Sequence, residues 1–147
     1  MLALGLTVGA VWWLAPPPEV PAYAADWAVE GVPCAGPCEG PLTASFSVVL
    51  RPAAPPGAPV AARVYLVGAQ ATRRYAAVLD AAPDGVVRFE GRPRELFPGL
   101  EPGAYTLVVA VGRSRYLPLD AAELAALQAR PDGHVALAQR ALVLRPE

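Results

Sequence analysis

Ala104–Val111 reads AYTLVVAV, and Gly103 and Gly112 bound it. Valine, tyrosine and threonine are enriched in strands because branched and aromatic side chains pack well on a pleated surface. Five such residues among the eight between two glycines predict a core β-strand, the strongest element in the chain. Its neighbourhood repeats the theme. Ala44–Arg51 (ASFSVVLR) alternates, with Phe46, Val48 and Leu50 on one face and Ser45 and Ser47 on the other. That period of two marks a strand half-buried on one side. Further runs stand at Trp27–Val32, Val60–Val67, Arg73–Leu79, Val86–Glu90 and Val135–Leu144, the last with a bulge expected near Gln139 and Arg140. Proline and glycine punctuate them: Pro52–Pro59 is a rigid loop, and Pro83-Asp84-Gly85 is turn chemistry joining a predicted hairpin. About seven short strands so spaced predict an all-β sandwich of Ig-like or prealbumin-like architecture over residues 27–147.

One helix interrupts the strands. In Asp120–Arg130 (DAAELAALQAR), Asp120 is placed to cap the first turn and Glu123 to complete a capping box. Leu117, Leu124 and Leu127 form its apolar stripe, and Pro131 stops it. Glu95–Phe97 is expected to form a short helical turn before Pro98-Gly99.

The chain is 147 residues long with 12 Lys+Arg against 13 Asp+Glu. A neutral balance argues against nucleic acid, which selects a basic face. An apolar content of 54% argues against disorder. Every cation is arginine, and lysine, asparagine and isoleucine are absent. This points to a bacterial genome of high GC content, which also accounts for much of the alanine.

Leu2–Ala15 (LALGLTVGAVWWLA) is uncharged and apolar, and Pro16-Pro17-Pro18 ends it. Three readings fit. It is a membrane anchor or part of a longer transmembrane helix, with Trp12 and Trp13 in the interfacial belt. It is a signal segment cleaved at Ala22-Tyr23-Ala24, although no basic residue precedes the apolar run. Or it is a plain buried segment. The first two place the remainder outside the cytoplasm, periplasmic or at the cell surface. Residues 16–26 then form a proline-rich spacer, and residues 1–15 an apolar helix ahead of the sandwich.

Leu96–Val109 (LFPGLEPGAYTLVV) resembles the closing segment of prealbumin-like and carboxypeptidase-regulatory-like domains, through Gly99, Leu100, Pro102, Gly103, Tyr105, Leu107 and Val109. The resemblance implies a sandwich in which Pro102-Gly103 makes a type II turn into a core strand. The wider order of apolar helix, proline spacer and short strands is similar to the extracytoplasmic domains of anti-sigma-factor-like proteins that follow a single transmembrane helix. That likeness implies binding or regulation and names no reaction.

Cys34 and Cys38 (CAGPC) are the only cysteines. Outside the cytoplasm such a pair favours a disulfide. A metal site lacks further ligands nearby, a redox site lacks the C-x-x-C spacing, and free thiols are the remaining alternative. His134 follows a turn and is expected to be a solvated loop residue. Ser45, Ser47 and Ser114 stand in no nucleophile motif. No catalytic residue, metal ligand or cofactor is therefore assigned, and the chain is read as non-enzymatic. Arg73, Arg74 and Tyr75, with Arg113, Arg115 and Tyr116, are candidates for a partner-binding edge, because arginine and tyrosine dominate interface hot spots. The expected function is a membrane-tethered binding or regulatory module with a protein partner in the envelope. The alternatives are a structural subunit of an envelope or secreted assembly, and a small disulfide or metal protein built on Cys34 and Cys38.

Overall fold

The computed structural model describes residues 20–147. The readings of residues 1–15 as anchor, signal or apolar helix, and of the spacer up to residue 19, lie outside these. No helix among the described residues is long and apolar enough to cross a membrane.

The strands are β1 (Tyr23–Val29), β2 (Val32–Pro33), β3 (Cys38–Pro41), β4 (Phe46–Pro52), β5 (Ala61–Val67), β6 (Thr72–Arg74), β7 (Leu79–Asp80), β8 (Val87–Gly91), β9 (Gly103–Gly112) and β10 (Val135–Arg145). The helices are α1 (Pro93–Leu96) and α2 (Ala121–Ala129), with a 3₁₀ turn at Ser114–Tyr116. One sheet has the order β2-β1-β4-β8. The other has β3-β10-β9-β5-β6, with β7 also paired to β5. The two inner faces meet in a core that includes Trp27, Phe46, Val48, Leu50, Val64, Leu66, Phe89, Leu107, Val109 and Leu142. The molecule is a two-sheet β-sandwich with one helix of more than a turn among the described residues.

β9 is buried on both faces. Leu107, Val109 and Val111 enter the core between the sheets. Val108 and Ala110 face outward, where Tyr65, Leu117, Leu124 and Val135 cover them. This explains why Leu107–Val111 is an unbroken apolar run where β4 alternates: a strand covered on both sides has no polar face. The covering element is α2. The Asp120 side chain accepts from the Glu123 N–H at 2.8 Å, and a Glu123 carboxylate oxygen accepts from the Leu119 N–H at 2.6 Å. The predicted capping box therefore closes one residue further back than its usual form. Gly112 is needed where β9 meets β10, because a Cβ there would stand 2.5 Å from the His134 carbonyl oxygen.

Several expectations are corrected. β1 begins at Tyr23, so residues 23–26 belong to the sheet and not to the spacer. Tyr23 and Ala25 pack on the core, and the Tyr23 hydroxyl donates to the Gly85 carbonyl at 2.9 Å. The predicted first strand turns at Glu30-Gly31, both with positive φ (49° and 78°), and returns as β2. That backbone matches the twist of a two-residue hairpin. Arg73–Leu79 is not one strand. Thr72–Arg74 and Leu79–Asp80 pair separately with β5, while Val87–Gly91 pairs with β4. The predicted hairpin around Pro83-Asp84-Gly85 is thus a crossover between sheets, because β8 joins the first sheet and its Val87 and Phe89 form part of that sheet's core face. β10 keeps one register against β9 from Val135 to Leu144, with no bulge at Gln139 or Arg140. The type II turn falls at Phe97–Leu100, where Gly99 has φ 78° and the Leu100 N–H donates to the Phe97 carbonyl at 3.2 Å. Gly103 already belongs to β9.

Leu124 is the helix's fully buried anchor, 1% exposed, and Leu119 is 58% exposed. Leu124→Ala is expected to lower unfolding stability by about 3 kcal/mol, and Leu119→Ser to change it by less than about 0.5 kcal/mol. Denaturant titration checks both, and equal effects would refute this packing.

Candidate functional site

The cysteines stand at a corner of the sandwich. β2 belongs to the first sheet and β3 to the second, and Cys34 and Cys38 close the crossing between them at disulfide distance, with Cα atoms 5.3 Å apart. The Cys34 N–H donates to the Trp27 carbonyl at 2.9 Å. Arg140 straps the corner from outside: its guanidinium donates to the Gly36 carbonyl at 3.0 Å and lies 5.9 Å from the Trp27 ring centroid. Among the described residues no three His, Cys, Asp or Glu side chains gather as a metal would need.

His134 is not the solvated residue expected. Its ring stacks on Tyr116, with centroids 4.4 Å apart and planes 12° from parallel, and its Nδ1 is buried without a hydrogen-bond partner among the described residues. Arg115 lies 4.8 Å from the Tyr116 ring. Ser45 instead serves the first sheet, its N–H donating to Glu30 and its hydroxyl to Glu90. No hydrogen bond among the described residues joins a serine to His134.

The six arginine and tyrosine candidates do not form one edge. Arg113, Arg115 and Tyr116 follow β9 at the end where β1 begins. Arg73 and Arg74 sit on β6 toward the opposite end and point apart, as consecutive strand residues do. Arg73 donates to the Pro98 carbonyl at 3.1 Å, and Arg74 to the Leu119 carbonyl at 2.8 Å. Tyr75 is half-buried and packs edge-on against Phe89 and Phe97, at 5.2 and 6.5 Å between centroids.

Two clefts flank the ends. At the Tyr23 end a groove of about 360 Å³ runs between Pro56–Val60 and Ala81–Pro83, and no charged side chain lines it. The chain arrives beside it, where the Val20 N–H donates to the Gly133 carbonyl at 2.8 Å. At the far end a cleft of about 490 Å³ opens between the β5–β6 turn and the Gly99–Gly103 segment. Gln70, Arg73, Glu101 and Tyr105 line it. Of these only Arg73 is among the six candidates. Tyr105 could be read from its glycine-rich approach, whereas Gln70 and Glu101 carry no local signal.

Tyr65 was also missed. It lies on β5 beneath α2, 1% exposed, and its hydroxyl donates to the Pro118 carbonyl. Burial raises its pKa, while Arg63 and Arg74 offset part of that rise. Tyr23 is raised too, by burial and then by Asp84.

The fold and this geometry define a two-sheet β-sandwich with an open, mixed-polarity cleft at one end. No protein-family model matches the chain, and no curated protein does. Among solved structures, the crystal structure of a β-glucosidase from Listeria innocua in complex with glucose is similar, at 14% identity and a TM-score of 0.38. The match covers 85% of this chain and 16% of that one. Similarity of this degree transfers neither fold family nor activity.

Raised tyrosine pKa values have a definite sign. The unfolded phenols ionise near pH 10, before the folded ones do. Stability is therefore complete below that pH and is lost as pH rises toward the folded values. Tyr65→Phe is expected to cost about 1–2 kcal/mol at neutral pH, through the unmet Pro118 carbonyl, and to flatten this alkaline limb. An unchanged limb in chemical denaturation between neutral and alkaline pH would exclude Tyr65 as its source.

Proposed function

We propose that the chain is a non-enzymatic binding or regulatory module, held outside the cytoplasm at the membrane by its N-terminal segment. The observation that carries this reading is the asymmetry of the two ends. The chain arrives at Val20 beside the Gly133 turn, and the cleft lined by Gln70, Arg73, Glu101 and Tyr105 opens at the opposite end. A tethered domain so oriented would turn that cleft away from its attachment. Loops on a rigid scaffold are where binding residues concentrate.

The strand order supports an Ig-like architecture: β1, β4 and β8 lie against β10, β9 and β5, and β3 runs parallel to β10. The prealbumin-like resemblance rests on the Gly99–Val109 segment. The strapped corner at Cys34 and Cys38 supports an oxidising compartment, because a short disulfide ring persists there. A structural-subunit reading has its own support in β8, which among the described residues pairs with β4 alone and so offers its second edge to another chain.

Fractionation of the native source is expected to place the chain in the envelope, with no titratable thiol in unfolded, unreduced protein. Cytosolic recovery with two reactive thiols would overturn the proposal. Sedimentation across a concentration series then separates a monomeric binder from a subunit that assembles.

A further inference from the structure

We propose that the far-end cleft binds a neutral saccharide of one or two rings. This rests on the binding-module reading and specifies its ligand.

The space is suitable. A volume of about 490 Å³ falls within the usual range of small-molecule sites, roughly 300–1,000 Å³. The lining is selective in kind. Arg73 offers only donors, Glu101 only acceptors, and Gln70 both. One Arg73 N–H is fixed on the Pro98 carbonyl at 3.1 Å, which holds the guanidinium in place. Its remaining N–H groups, the Gln70 amide and the Glu101 carboxylate have no hydrogen-bond partner among the described residues. A guanidinium and a carboxylate on one cleft cancel in charge, so neither an anion nor a cation is favoured. Adjacent hydroxyls, each both donor and acceptor, satisfy this set without bringing a charge.

Tyr105 supplies the apolar element. Its hydroxyl donates to the Glu101 carbonyl at 2.7 Å, which fixes the ring. Glycines flank both of the ring's edges. A Cβ at Gly68 would stand 3.0 Å from Tyr105 Cε1, and one at Gly103 would stand 3.7 Å from Cε2. The neighbouring backbone thus approaches the ring without side chains of its own. A saccharide combines these requirements in one molecule, with a C–H face for the ring and vicinal hydroxyls for the planar polar groups. The groove at the Tyr23 end is of similar size but is lined by proline, alanine, glycine and valine, and it lacks this donor set.

The test titrates cellobiose, maltose and di-N-acetylchitobiose at millimolar concentration into the ¹⁵N-labelled full chain. At least one is expected to shift the amides of Gly68–Ala71 and Gly99–Tyr105. Gln70→Ala and Glu101→Gln change exposed side chains and leave the fold intact. Each is expected to weaken binding by about tenfold, the worth of one hydrogen bond of this kind. Tyr116→Ala, at the other end, is expected to leave it unchanged. Absence of saccharide-dependent shifts at the cleft, or affinity in both cleft variants unchanged from that of the unsubstituted chain, overturns the proposal. Photo-crosslinking from position 70 in the envelope distinguishes the failures. Protein captured there without any saccharide response overturns the ligand class and leaves the binding reading standing. Neither capture nor saccharide response overturns both.

Discussion

Burial of β9 on both faces is the constraint on which the rest of the molecule depends. A strand with apolar residues at Leu107, Val108, Val109, Ala110 and Val111 must be covered twice. The first sheet covers one side through Val48 and Leu50, and α2 covers the other through Leu124. Each buried Val or Leu contributes about 1.5–3 kcal/mol, so neither cover is optional. The need for two covers places β9 in the middle of its sheet, between β10 and β5, and fixes α2 to the outer face. It also sets the function of the 113–120 segment, which carries the chain from the end of β9 over the sheet edge to the helix. The Tyr65 hydroxyl on Pro118 and the Arg74 guanidinium on Leu119 hold that segment down.

A strand rigidified along its length gives its two ends fixed positions. At one end, Gly112 allows β10 to approach closely, and the Tyr116–His134 stack closes the surface. At the other, the Gly99 turn feeds Gly103 and Tyr105 into the sheet opposite the Gly68–Ala71 turn. The cleft between them is thus assembled from two turns whose spacing the ladders determine: Leu66 pairs with Leu107 and with Arg73 in adjacent strands. The candidate site belongs to the loops, and its geometry belongs to the sheet.

Much of the fold was legible because the signals were local. The alternation of Phe46, Val48 and Leu50 reports one covered face, and the unbroken run of β9 reports two. Asp120 and Glu123 announce a helix start through hydrogen bonds that span only a few residues. The errors arose where partner choice is decided at a distance. Pro83-Asp84-Gly85 carries good turn chemistry, and a turn fixes the direction of the chain without choosing the sheet that receives it. Phe89 is drawn to the first sheet by its contact with the core, whereas Leu79 stays with β5. The single run Arg73–Leu79 failed for a similar reason, since Tyr75 turns inward to Phe89 and Phe97 and breaks the strand. The site was less legible than the fold. Arg73, Arg74 and Tyr75 are adjacent in sequence, yet they serve a cleft, a loop carbonyl and the core. Gln70 and Glu101 acquire meaning only when two distant turns meet.

Native-state hydrogen exchange measures the central constraint directly. If double burial of β9 holds the sandwich together, the amides of Leu107–Val111 exchange only through global unfolding and are the slowest in the protein, while those of β3 and β6 exchange through local openings. Fast local exchange along β9, with β1 and β4 still protected, would show that the first sheet stands without it and would contradict the account given.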